Sequence, residues 1–347
     1  MSKLSDKASL KQDPTAVSRK KDHIELAFKS AVSASSIDER FYYEPMLAGH
    51  PGADSIPVVK FVGYDLKLPI WVSSMTGGTE WAKTINTNLA RACGEYGMGM
   101  GLGSCRALLF DDDRLDEFAV KNLMPDQPLY ANLGIAQIEE LYKADKLSSI
   151  GSLIAKLDAD GLIIHVNPLQ EWLQPEGDRY YASPIDLIRR VIDSMPDLSI
   201  IVKEVGQGFG PKSMASLYNL PIAAVDFAAS GGTNFALLEL LRSSEQELQA
   251  YEGLSKVGHS NIEMVQLANQ VLDSIPAEQT CPSTIISGGV KDYLDGYYLT
   301  QKIHASAIYG QASSFLAHAR GSYEALQEHV EHQRAGLQVA YSFLSVK

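Results

Sequence analysis

The stretch Gly161-Leu162-Ile163-Ile164-His165-Val166-Asn167-Pro168-Leu169-Gln170-Glu171 decides how this chain is read. Leu162 to Ile164 is an unbroken apolar, mostly β-branched run with no polar alternation, the pattern of a strand buried on both faces. The run then gives way to an imidazole, two amides and a carboxylate bent around Pro168. A buried strand that ends in clustered polar groups reads as the carboxyl end of a strand in a parallel sheet. Working outward, similar runs recur at Leu68–Ser74, Met98–Gly103, Leu129–Leu133, Ser199–Glu204, Ala223–Ala228, Thr284–Ser287 and Ala305–Tyr309. Between them lie helix-like stretches at Trp81–Tyr96, Pro184–Ser194, Pro211–Tyr218, Asn234–Leu241, Asn261–Ser274 and Tyr293–Ile303, with a largely helical tail from Ala312 to Phe343. Eight strands alternating with helices over about 280 residues favour a (β/α)₈ TIM barrel over an open, doubly wound sheet.

The 347 residues are 45% hydrophobic and 21% charged, ample material for one large core. A formal net charge of −12 argues against nucleic acid or an anionic membrane as partner, while leaving room for a local basic pocket that takes a small anion. Three scattered cysteines, Cys93, Cys105 and Cys281, show no CxxC spacing and suit a reducing cytoplasm. No apolar run reaches the roughly 18–20 residues of a bilayer span, and Met1 to Lys21 has no apolar core of a secretion signal. A cytoplasmic location is therefore expected. Residues 1–40 read as a polar N-terminal arm with a short helix around Lys21 to Ser30, and residues 41–347 as the barrel.

Nearly every unusual polar or glycine cluster falls just after a candidate strand, the catalytic face of a barrel. Glycine-rich turns at Met75–Gly78, Ser230–Thr233 and Ser287–Gly289 let backbone N–H groups approach an anion, so phosphate or flavin binding is expected there. One such loop alone would be an ordinary tight turn; three at strand ends point to a ligand. His165, Asn167, Gln170 and Glu171 form a second cluster, whose carboxylate suits Mg²⁺ held mainly by substrate phosphates. A single strand-end histidine is usually a satisfied core residue; four polar groups within seven residues are not. Lys203 ends the apolar run Ile200-Ile201-Val202, and one residue of register decides whether it faces inward, needing an anion, or pairs with Glu204. Asp111-Asp112-Asp113, the histidines His318, His329 and His332, and Trp71 and Trp81 read as structural or surface residues.

Together these segments resemble the type 2, FMN-dependent isopentenyl-diphosphate isomerase family. The resemblance is carried by Arg19-Lys20-Lys21-Asp22-His23-Ile24, Ser74–Gly78, Gly103–Arg106, Ala131–Gly134, His165–Glu171, Val202–Gly206, Ala224–Asp226, Gly231–Thr233 and Ser287–Gly289, in the family's order. It implies interconversion of isopentenyl and dimethylallyl diphosphates with reduced FMN, Mg²⁺ and NADPH as reductant, in a tetramer or octamer. It further implies that Met75, Thr76 and Gly77 lie along the flavin ring. Ser104, Asn132, Lys203 and Thr233 would contact the flavin, while Gly288, Gly289, Gln311 and Ala312 would hold its phosphate. Arg19, Lys20, His23, Arg106, His165 and Asn167 would bind the substrate diphosphate. Gln170 would lie beside the reacting carbons, and Glu171 would ligate Mg²⁺. Three positions depart from the family pattern: Cys105 stands where a glutamine is usual, Ala228-Ala229 replaces a Ser-Gly approach, and Lys291 stands where an arginine is common. The rival expectation is an FMN-dependent NAD(P)H oxidoreductase or a barrel of the hydroxy-acid oxidase kind; a catalytically silent ligand-binding barrel is the other.

Overall fold

The computed structural model describes residues 15–74, 81–276 and 281–347. These divide into two compact units, one reaching to Tyr42 and including Lys347, the other spanning Tyr43–Val346. In the first unit a helix runs from Ala16 to Leu26, earlier than the expected Lys21–Ser30. Past Leu26 the chain runs on in turns, with the Lys29 and Ser30 N–H groups on the Leu26 carbonyl (2.9 and 3.0 Å) and the Ser30 hydroxyl on the Ala27 carbonyl (3.0 Å). Arg19, Lys20 and His23 are exposed on this helix.

The second unit is a closed barrel of eight parallel strands. They are β1 (Ile70–Val72), β2 (Gly99–Gly101), β3 (Leu129–Gly134), β4 (Gly161–His165), β5 (Ile200–Lys203), β6 (Ala224–Asp226), β7 (Ser283–Ser287) and β8 (Ser306–Gln311). Each pairs with its sequence neighbours, and β8 closes onto β1 through Tyr309↔Ile70, Gly310↔Trp71 and Gln311↔Val72. All eight lie where the apolar runs placed them, with ends shifted by at most two residues. The helices at Pro184–Ser194 and Pro211–Tyr218 begin at a proline, whose missing N–H costs nothing in a first turn. Short helices at Ile135–Lys143, Ser149–Leu157, Pro168–Leu173 and Glu245–Ser255 add to those expected from the sequence. Among the described residues, no helix is long and apolar enough to cross a membrane.

What fills the barrel fixes the direction of every strand side chain. Trp71, Tyr130, Ile163, Ile201, Ala224, Ile285 and Ile308 meet in one buried cluster, each from a different strand. Phe61 and Leu66 join them from an antiparallel hairpin, Val59–Phe61 with Tyr64–Leu66, which plugs the amino-terminal mouth. Strand side chains alternate with period two. The next inward residues toward the carboxyl ends are therefore Ser73, Asn132, His165, Lys203, Asp226, Ser287 and Gly310. An apolar layer below and a polar layer above is the frame on which the site is built.

Candidate active site

The register settles Lys203: it faces inward and is buried, at 7% exposure. Its Nζ donates to the backbone carbonyl of Glu204 (2.6 Å), not to the carboxylate. That carboxylate instead accepts from the N–H groups of Gly206, Gln207 and Gly208 (2.7, 2.5 and 3.0 Å) and ties down the loop after β5. Burial pushes the Lys203 ammonium below its usual range, while Asp226, then Glu204, act in the opposite direction.

Lys203 opens into a cavity of about 220 Å³ at the carboxyl ends of β5–β8 and β1. Gly206, Gly231, Gly232, Gly288, Gly289 and Gly310 form part of its walls. Gly288 and Gly289 adopt φ values of +81° and +71°, and a Cβ on Gly232 would meet the Gly289 nitrogen at 3.1 Å. The loops after β6 and β7 thus approach backbone to backbone, as only glycine permits. Ser73 and Ser74 also line the cavity, and their hydroxyls are buried with no partner among the described residues. Gln311 and Ala312 lie at the wall. The Gln311 amide is held by donation to the Val290 carbonyl (3.1 Å) and by the Gln333 amide, which donates to its Oε1. Thr233 and Lys291 sit exposed at the rim.

Beside this cavity, the end of β4 carries the second cluster. Asn132 donates to the Leu102 carbonyl (3.0 Å), which fixes its amide and turns Oδ1 toward His165 Nδ1 at 2.8 Å. The imidazole therefore carries its proton on Nδ1 and leaves Nε2 as an acceptor. Asn167 is buried, and its Nδ2 donates to Gln170 Oε1 (3.1 Å) and Glu171 Oε1 (3.0 Å). Gln170 Nε2 reaches the buried Glu239 at 3.3 Å, so both ends of that amide are held. Glu171 Oε2 accepts from the Asp178 N–H at 2.8 Å. Asp178 in turn pairs with Arg106 and accepts from Gln137 Nε2 (2.9 Å). Arg106 thus stands one residue away from Glu171 in a chain of polar contacts.

Met75, Thr76 and Gly77 lie outside the described residues. Ser104 is exposed, and Cys105 is buried with its N–H on the Asn132 carbonyl (2.8 Å). Asp178, Glu239, Asp226 and Ser73 were not singled out by role from the sequence. Asp226 and Ser73 follow from strand parity once the inward face is known; no local pattern marks Glu239.

The half-buried imidazoles of His165 and His329 carry a pH consequence. Burial first, and the Lys203 charge second, hold His165 down to about 3; burial, then His318 and His332, hold His329 down to about 4. Both are neutral in the folded chain, whereas the unfolded chain binds their protons near the ordinary 6.5. Stability is fully present above that value and is lost as pH falls through the window toward 4 and 3, by at most about 1.4 kcal/mol per pH unit for each histidine. We expect His165→Gln to show a shallower acid limb than the wild type in urea midpoints taken across this window. An unchanged slope would remove His165 from the account.

Solved structures with similar architecture are flavoenzymes. A mandelate oxidase variant with an FMN adduct aligns with a TM-score of 0.53 at 12% identity, covering 89% of this chain and 88% of its own. A flavocytochrome b2 variant with sulfite bound gives 0.57 at 12%, covering 91% and 77%, and a lactate oxidase from Pediococcus acidilactici 0.55 at 13%, covering 89% and 83%. At these identities the likeness speaks for the fold alone. Fold and site together define a (β/α)₈-barrel enzyme, with its polar layer and cavity on the catalytic face. Isopentenyl-diphosphate delta-isomerases from Rickettsia africae and Rickettsia rickettsii are 33% and 34% identical over 327 residues, 93% of this chain and 92% of theirs. That from Rickettsia felis is 35% identical over 323 residues, 91% and 89%. The chain belongs to the type 2 isopentenyl-diphosphate delta-isomerase family. No protein-family model matches it.

Proposed function

We propose that this barrel interconverts isopentenyl and dimethylallyl diphosphates, with FMN held in the glycine-walled cavity and the substrate over the end of β4. The observation that carries this reading is the row of inward residues that joins the two: His165 is in register with Lys203, which opens into the cavity. The cavity suits FMN. Two unpartnered hydroxyls and a buried ammonium match a polar ring edge, and the Gly288–Gly289 turn lines the same cavity with backbone. Ser104, Asn132, Lys203 and Thr233 are assigned to the flavin, with Met75, Thr76 and Gly77. Gly288, Gly289, Gln311 and Ala312 are assigned to its phosphate.

Glu171 suits Mg²⁺ in the way that ion prefers, as one carboxylate supplementing substrate phosphates. Among the described residues, no group of three or more metal-ligating side chains competes with that arrangement. Arg106, His165 and Asn167 are assigned to the diphosphate, as are Arg19, Lys20 and His23 of the N-terminal helix. Arg106 exchanges Asp178 for phosphate on binding, and a nearby diphosphate raises the proton affinity of His165.

The reaction adds a proton at one carbon and removes one at another, with no net redox change. Protonating an alkene builds positive charge, so the site has to present an electron-rich, water-poor surface. Bound reduced FMN supplies acid–base chemistry at its N5 edge. Gln170, pinned between Asn167 and Glu239, holds the reacting carbons in line, and the anchored diphosphate keeps a featureless alkene in register. NADPH as reductant, a tetrameric or octameric homo-oligomer and a cytoplasmic location complete the reading.

An anaerobic assay with isopentenyl diphosphate, FMN, Mg²⁺ and a trace of NADPH tests it. We expect many turnovers of dimethylallyl diphosphate for each NADPH consumed. Stoichiometric NADPH loss would instead establish an oxidoreductase.

A further inference from the structure

His165, Lys203 and Asp226 stand in register on three consecutive strands, a cation between an imidazole and a carboxylate. Neighbouring strands lie about 4.8 Å apart, so the three groups share one layer. Asp226 is fully buried, and a buried carboxylate without a task is costly. Its Oδ1 accepts from the Ser287 hydroxyl, and Ser287 Oγ in turn accepts from the Ala228 N–H at 2.9 Å. Its Oδ2 has no partner among the described residues. Lys203 lines the cavity, whereas Asp226 lies behind it.

We propose that Asp226 is a positioning residue that keeps Lys203 protonated, and that the lysine's charge in turn sets how strongly the site favours reduced over oxidised FMN. The inference rests on the FMN reading above and extends it to a residue with no contact to the cavity. Glu204 acts on Lys203 in the same direction, second to Asp226, and its carboxylate is committed to three backbone N–H groups. The pair is neutral as a whole, but only its positive member meets the ligand. Reduction of FMN by two electrons and one proton leaves an anion, so a cation at the cavity wall stabilises the reduced state selectively. The titratable groups around Lys203 are His165 on β4, Asp226 on β6 and Glu204 beside it, with Lys291 on the same cavity.

Asp226→Asn separates this role from simple anchoring, since the asparagine Oδ1 still accepts from Ser287 while the charge is gone. The measurement is the midpoint potential of the full-length, FMN-loaded protein by dye equilibration between about pH 6 and 9, alongside the affinity for oxidised FMN. We expect oxidised FMN to bind within about threefold of wild type, and the preference for reduced FMN to fall about tenfold or more at the alkaline end, a more negative potential. The gap should narrow as the pH falls and Lys203 regains its proton. Lys203→Met should show the same fall without that pH dependence, and adding Asp226→Asn to it should change nothing further. A potential that is unchanged or raised in Asp226→Asn across the range overturns the proposal. Should that variant not fold, an unaltered potential in Lys203→Met overturns it equally. A wild-type protein that does not retain FMN would sink the FMN reading, an outcome distinct from a yellow protein with an unmoved potential.

Discussion

Gln170→Ala is expected to lower kcat by roughly 10²–10⁴-fold while KM for isopentenyl diphosphate stays within a few fold. The side chain is held at both ends: its Oε1 accepts from Asn167 and its Nε2 donates to Glu239. A glutamine fixed in this way loses little entropy when it meets the transition state, so its contribution falls on kcat rather than on ground-state binding. Arg106, assigned to the diphosphate, and Glu171, assigned to Mg²⁺, are tied to Asp178, while Asn167 loses its bond to Gln170 but keeps the one to Glu171. These ties survive the substitution, which is why KM should hardly move. The helix Pro168–Leu173 also survives, because the Glu171 and Gln174 N–H groups bond to backbone carbonyls. Steady-state kinetics on protein with its full flavin spectrum provides the check. A kcat within about fivefold of wild type would exclude Gln170 from the chemistry.

How much of this was legible beforehand differs by element. The eight strands were, because a strand buried on both faces writes its burial as an uninterrupted run such as Ile200-Ile201-Val202. The inward direction of Lys203 was not. Such a run looks the same on both faces, and the direction emerges only from the plug of Phe61 and Leu66 against Trp71 and Ile201. The helix Glu245–Ser255 escaped notice for want of an apolar face, yet Ser244 and Glu247 form a reciprocal capping box that marks its start. Within the site, His165, Asn167, Gln170 and Glu171 could be read as one cluster since they are neighbours in sequence. Their supports could not: Glu239 lies 69 positions from Gln170, and Asp178 lies 72 from Arg106. Those contacts exist only because the barrel brings successive loops together.

The other large effect belongs to the proposed phosphate cradle. Gly288→Ala is expected to abolish FMN retention and to lower stability by about 3 kcal/mol, summing overpacking and a left-handed alanine. A Cβ there would lie 2.0 Å from the Ala229 oxygen, 2.3 Å from its nitrogen and 2.7 Å from its carbonyl carbon. All three are backbone atoms, so no rotamer change relieves the clash. Nor can the loop retreat. Ala229 N–H is bonded to the Ser287 carbonyl, Ala228 N–H to the Ser287 hydroxyl, and Ala228 already sits at a positive φ of +43°. Gly289→Ala should be milder, because its nearest contact is the Ser230 oxygen at 3.1 Å. Gly253→Ala, in the helix Glu245–Ser255 with nothing within 4 Å, should instead add up to about 1 kcal/mol by restricting the unfolded chain. Urea midpoints and FMN dissociation constants for the three variants should therefore rank them in that order. If Gly288→Ala kept FMN within about threefold and stability within about 0.5 kcal/mol, the β6–β7 wall would be compliant rather than rigid. The phosphate would then have to be held by side chains, and Lys291 is the cation at that rim.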